Sequence, residues 1–143
     1  DNGTIHTERM KRVVGLAGNM PVTFHRAFDR CSDPVQALED LIDCGCKRLL
    51  SSGQHPSVMN GLPLLAKLNT QANERIIIMP GSGLNSGNVR EVLEKTKCQE
   101  VHTAARKSFS NGEVFSPESM QEKLQYVGVD QEEIKAILSQ ISS

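Results

Sequence analysis

The chain has 143 residues, 38% of them hydrophobic and 23% charged, which suits a single domain with a sizeable core. With 16 basic residues against 17 acidic ones, the formal charge is −1, so long-range attraction recruits neither nucleic acid nor an anionic membrane surface. No apolar run approaches the ~20 residues a membrane-spanning helix needs.

In chain order, a helix is predicted from near Thr7, carrying Met10, Val13, Val14 and Ala17 on one face and stopping at Gly18. A first strand follows at Val22-Thr23-Phe24-His25. Asp33-Pro34 supplies an N-cap and a first-turn proline, with Gln36 placed for a capping box. Val35, Leu38, Leu41 and Ile42 then form the apolar stripe, and Gly45 is the expected C-cap. The second strand is Arg48-Leu49-Leu50-Ser51, followed by a helix through Leu62, Leu65, Ala66 and Leu68. The third strand is Ile76-Ile77-Ile78-Met79, and its helix starts near Asn85 or Ser86 and buries Val89, Val92 and Leu93. The fourth strand is Val101-His102-Thr103-Ala104. Residues 107–129 break the pattern and read as a long loop or arm. A terminal helix over 130–141 turns Ile134, Ile137, Leu138 and Ile141 inward.

The strands start at residues 22, 48, 76 and 101, so one strand and one helix repeat about every 26 residues. Such repeats are βα units of a parallel sheet. A complete (β/α)₈ TIM barrel needs about 250 residues, so four units amount to about half of one. The chain opens on Asp1, and the expectation is a single-domain fragment, the C-terminal half of the barrel. Four parallel strands would leave two open edges, which predicts self-association, a homo-oligomer.

Ligands of βα barrels sit at the C-terminal ends of the strands. Those ends are polar here: His25-Arg26-Ala27-Phe28-Asp29, Ser51-Ser52-Gly53-Gln54-His55, Pro80-Gly81-Ser82-Gly83 and His102 through Arg106. An imidazole can give and take a proton near neutrality, so His25 and His102 are candidate acid–base groups, or rim residues held only by hydrogen bonds. Arg26 is a fork for a carboxylate or phosphate, or the structural partner of Asp29. The turn at Gly81, Ser82 and Gly83 is a plain turn, or a set of backbone donors for an anion. Asp29, Ser52 and Gly53 complete the candidate ligand-binding set.

The four cysteines are too few for a disulfide scaffold, and buried free thiols in a cytoplasmic protein are expected. Cys44-Gly45-Cys46 pairs two thiols of the kind that suits Cu(I), making both candidate metal ligands; as core residues they would simply fill space. No Cys/His cluster has zinc-site spacing, and no Gly-x-Ser-x-Gly elbow is present.

Five segments, in order, carry a family resemblance. Val22 to Asp29 resembles the signature strand of the CutC family. Leu50-Ser51-Ser52-Gly53 is similar to its Leu-Thr-Ser-Gly segment, with Ser51 in place of Thr. Gly61-Leu62-Pro63-Leu64, Ile78 to Gly83 and Glu100 to Arg106 are similar to further segments, although Ala104 stands where the family usually carries Ser. The resemblance runs from Asp1 to about Arg106. It implies a cytosolic TIM-barrel protein of copper homeostasis with copper, as Cu(I), for its ligand, and it implies that four preceding βα units are absent. No reaction comes with it, and no copper-binding cysteine of the family maps onto this chain. Three readings follow: Cu(I) binding or handling, an enzyme acting on a small anionic metabolite through His25, Arg26 and His102, or a truncated non-catalytic interaction protein.

Overall fold

The structure is a computed structural model that describes residues 2–110 and 125–142. Helix α1 spans Thr7–Ala17, followed by β1 at Thr23–Phe24, α2 at Pro34–Asp43, β2 at Arg48–Ser51, α3 at Leu62–Ala72, β3 at Ile77–Pro80 and α4 at Val89–Thr96. After these come β4 at Arg106–Ser110, β5 at Gln125–Val129 and α5 at Gln131–Ile141. Strands β1, β2 and β3 pair in parallel and in chain order, with Thr23 beside Arg48 and Arg48 beside Ile77. This is the expected run of βα units, an α/β fold of the TIM-barrel kind.

The caps explain most of the boundaries. Asp33 accepts hydrogen bonds from the N–H groups of Val35 and Gln36 at 3.0 and 3.1 Å, so α2 starts where the sequence placed it. The reciprocal half of the capping box does not form, because the Gln36 side chain donates to Asp40 instead, at 2.9 Å. Cys44 is the C-cap of α2, and Gly45 follows it at φ +85°, a conformation that glycine adopts without strain. Helix α4 starts three or four residues later than expected. The Asn88 side chain accepts from the Asn85 N–H and donates to the Gly83 carbonyl, which folds 85–88 into a turn.

Side chains alternate across the sheet. Leu49, Ser51, Ile78 and Pro80 are buried beneath the helices, while Arg48, Leu50, Ile77 and Met79 on the opposite face are only half-buried. The core lies on the helix side, where Leu38, Leu41, Leu65, Leu68, Val89 and Val92 are fully buried. Each such side chain contributes roughly 1.5–3 kcal/mol.

Two expectations need correcting. The fourth run does not join the ladder as a strand: residues 101–105 carry no strand assignment, and the backbone link to β3 is the His102 N–H on the Pro80 carbonyl at 2.8 Å. Edge backbone with a neighbour on one side alone has little to hold it in strand geometry. Both described ends of the expected 107–129 loop are strands, with β4 and β5 forming an antiparallel pair from Arg106 opposite Val129 to Ser110 opposite Gln125. Phe109 and Tyr126 stack across that pair, with centroids 5.4 Å apart. The middle of the expected loop lies outside the described residues.

Candidate functional site

The C-terminal ends of the first two parallel strands are tied together by one carboxylate, and Arg26 carries the network on to Ser82 after the third. A 3₁₀ turn over Arg26–Arg30 follows β1 and swings Asp29 under the end of β2. Asp29 accepts from Ser51 Oγ at 2.6 Å, Ser52 Oγ at 2.9 Å, the Ser52 N–H at 3.1 Å, the Gln54 N–H at 3.2 Å and Arg26 Nε at 2.7 Å. Burial pushes its carboxyl up, but the hydrogen bonds from Ser51, Arg26, Ser52 and Gln54 outweigh that and hold the pKa below its ordinary value.

Arg26 is locked by the same network. Nη1 donates to Ser82 Oγ at 2.9 Å, and Nη2 donates to Ser52 Oγ at 2.8 Å and to the His55 carbonyl at 3.3 Å. One Nη1 hydrogen is left over. The structural alternative for Arg26, a pair with Asp29, is therefore the arrangement present. The pair nonetheless stays on the rim, with Arg26 41% exposed against 7% for Asp29.

Arg26 stands between two clefts. The larger, of about 700 Å³, is lined by Ser82, Gly83, Leu84, His102, Arg106 and Glu133, among others. The smaller, of about 530 Å³, is lined by His25, Arg30, Gln54 and His55. Arg26 lines both, so the two histidines singled out from the sequence face different clefts.

The turn after β3 is shaped for close approach. A Cβ on Gly81 would lie 2.7 Å from Leu50 Cδ1 and 3.3 Å from the His102 carbonyl oxygen, so a larger residue there would require the Leu50 side chain to move. Ser82 at φ +82° and Gly83 at φ +73° then turn the chain. The N–H groups of Ser82, Gly83 and Leu84 have no hydrogen-bond partner among the described residues. Gly53 plays another part. It is buried at φ +71°, and a Cβ there would lie 2.7 Å from Gly61 Cα, so it lets two backbone segments cross.

Sequence reasoning missed the far wall of the larger cleft. Asp130 caps α5 by accepting from the N–H groups of Glu132 and Glu133, and Glu133 accepts from Ser86 N and Oγ at 2.6 and 2.9 Å. The Asp130-x-x-Glu133 spacing before an apolar run is a helix-start signal that could have found it. Arg30 and His55 were also missed.

The thiols do not gather on the rim. Cys31, Cys44, Cys46 and Cys98 are free and buried, and burial pushes each thiol's pKa up. Cys44 Sγ donates to the Thr7 carbonyl at 3.5 Å, while Cys46 sits in the core cluster. Among the described residues, no three His, Cys, Asp or Glu side chains gather as a metal site. Among those residues, no helix is long and apolar enough to cross a membrane.

Comparison with known proteins agrees with the sheet and the rim. A CutC family protein of Glaesserella parasuis is 46% identical over 105 residues, which is 73% of this chain and 43% of the relative. A copper homeostasis protein cutC homolog of Mus musculus is 42% identical over 120 residues, 84% of this chain and 44% of the relative. The chain spans about half the length of the curated relatives it matches. The crystal structure of a CutC protein from Streptococcus agalactiae superposes with a TM-score of 0.67 at 27% identity, covering 71% of this chain and 50% of that one. A native KDPGal structure shares the fold alone, with a TM-score of 0.59 at 17% identity over 99% of this chain and 58% of that one. The model of the CutC family matches residues 1–107, through the strand ends that build both clefts, and the chain belongs to the CutC family.

Proposed function

We propose that the larger cleft binds a small oxyanion, the phosphate or carboxylate group of a metabolite, in the full-length barrel. The observation that carries this reading is the run of three unclaimed backbone donors at Ser82, Gly83 and Leu84, on a turn that lines the cleft. Consecutive free N–H groups at a left-handed turn form a concavity for an anion. Arg106 lines the same cleft, and its guanidinium has no partner among the described residues. Formal charge lining the cleft is balanced, since Asp130 and Glu133 offset Arg26 and Arg106. Directed donors, rather than net potential, would therefore hold the ligand. His102 on the same wall is the candidate for proton transfer.

Calorimetric titration of inorganic phosphate and of acetate into the full-length protein tests the reading. Arg106→Ala removes a charge-assisted contact and should weaken binding roughly tenfold to a hundredfold. Absence of binding by either ligand to the wild type would remove this function.

Copper handling is the second reading, favoured by the family to which the chain belongs. It takes Cu(I) in the cytosol as cargo, with Cys44 and Cys46 as the soft donors this chain offers. Competition for Cu(I) against a chromophoric chelator checks it. Loss of binding in the folded Cys44→Ser/Cys46→Ser variant supports the reading, and unchanged binding removes these two thiols from it.

A further inference from the structure

The smaller cleft differs from the larger one in its charge. It holds Arg26, Arg30, His25 and His55 around a single carboxylate, Asp29. That carboxylate is spent: both of its oxygens already accept, from Arg26, Ser51, Ser52 and Gln54. Arg30 has no ion pair or hydrogen bond to its guanidinium among the described residues, and the His55 ring likewise has no partner there. Two arginines against one carboxylate leave the cleft with a formal charge of +1 before either histidine is counted.

The donors are held in place by their own backbones. His25 Nδ1 accepts from the Ala27 N–H at 3.0 Å, which puts the ring hydrogen on Nε2, and the ring lies against Phe24 at a centroid distance of 5.6 Å. Gln54, at φ +63°, is fixed by its N–H on Asp29 and its side-chain amide on the Cys31 carbonyl at 2.6 Å. The His55 carbonyl accepts from both Arg26 and Ser52, so the backbone that carries its free ring cannot swing away. The His25 ring and the backbone that carries His55 are thus ordered before a ligand arrives, and the remaining ordering cost falls on the Arg30 side chain and the His55 ring.

We infer that this cleft is a second oxyanion site, built by His25, Arg30 and His55 and separated from the first by the Arg26–Asp29 pair. It recognises a phosphate or carboxylate group. A ligand here meets side-chain donors and net positive charge, whereas one in the larger cleft meets backbone donors and balanced charge.

Histidine ring signals separate the two sites, because His25 and His55 report on this cleft and His102 on the other. In the full-length protein, with signals assigned by single His→Asn variants, inorganic phosphate and acetate are titrated in separate experiments. The expected result is a saturable shift of the His25 and His55 signals at millimolar ligand or below. Arg30→Ala should weaken that response about tenfold or more while the His102 response stays as it was. A response to phosphate alone assigns the site to phosphoryl groups, and one to acetate alone assigns it to carboxylates. Shifts confined to His102 would overturn this inference and leave the larger cleft standing. Shifts of His25 and His55 that survive Arg30→Ala unchanged would overturn it too, and silence at all three rings would overturn both sites.

Discussion

Replacing Asp29 with alanine tests whether the rim is held by one carboxylate. The side chain accepts from five donors, and the cost depends on which of them can find another partner. Arg26 is 41% exposed and can turn to water, and the Gln54 bond is the longest, at 3.2 Å. Ser52 Oγ keeps the His55 carbonyl as its acceptor. Ser51 Oγ and the Ser52 N–H are the groups left behind, both in fully buried residues. Each stranded donor costs about 1–3 kcal/mol, so stranding these two should cost Asp29→Ala about 2–6 kcal/mol. Urea unfolding of the full-length protein, followed by far-ultraviolet circular dichroism, measures the loss. The sign of the pH dependence follows from the depressed pKa of Asp29. Its stabilising share is complete well above the ordinary value of 3.8 and is lost as pH falls through the lower folded value. The gap between wild type and variant should therefore be flat near neutrality and shrink in acid. A loss below about 1 kcal/mol, the yield of an ordinary solvated bond, would refute the reasoning.

Gly53→Ala forces a Cβ to 2.7 Å from Gly61 Cα at a left-handed φ, and should cost roughly 2–4 kcal/mol in the same unfolding assay. Cys46→Ser places a hydroxyl in the core and should cost about 1–3 kcal/mol, whereas Cys44→Ser should cost less because the Thr7 carbonyl remains as an acceptor. Arg26→Ala should lower stability measurably, because it strips Asp29 of its counter-charge. The 143-residue chain by itself should associate, since Leu16 and Met20 are 78% and 70% exposed and the inner face of the sheet is half-open; a monomer at all concentrations in sedimentation velocity would contradict that.

The parallel order of β1 to β3 was legible because each strand is short, apolar and followed by a capped amphipathic helix. Asp33-Pro34 and Gly45 mark boundaries that hydrogen bonds and φ values then confirm. The failure at Val101 has a physical cause: its residues read as a strand, but strand geometry needs ladder bonds, and one backbone link to Pro80 does not make a ladder. The 107–129 segment misled in the opposite direction. Its polar composition reads as loop, while Phe109 stacked on Tyr126 pairs the strands at its ends. At the rim, the sequence placed His25 and His102 at the ends of the first and fourth strands but could not show that Arg26, drawn to Asp29 and Ser82, stands between their clefts. Nor could it choose between the two roles of Arg26, since an arginine three residues before an aspartate suits a ligand fork and an internal pair equally well.

The central claim, an oxyanion held by the turn after β3, is tested most directly by a crystal structure of the full-length protein grown with inorganic phosphate. The account predicts phosphate density within hydrogen-bond distance of the Ser82, Gly83 and Leu84 N–H groups and the Arg106 guanidinium, with the Arg26–Asp29 pair unmoved. A larger cleft without phosphate at saturating ligand, or a turn whose three N–H groups are already bonded to protein in the complete barrel, would contradict it.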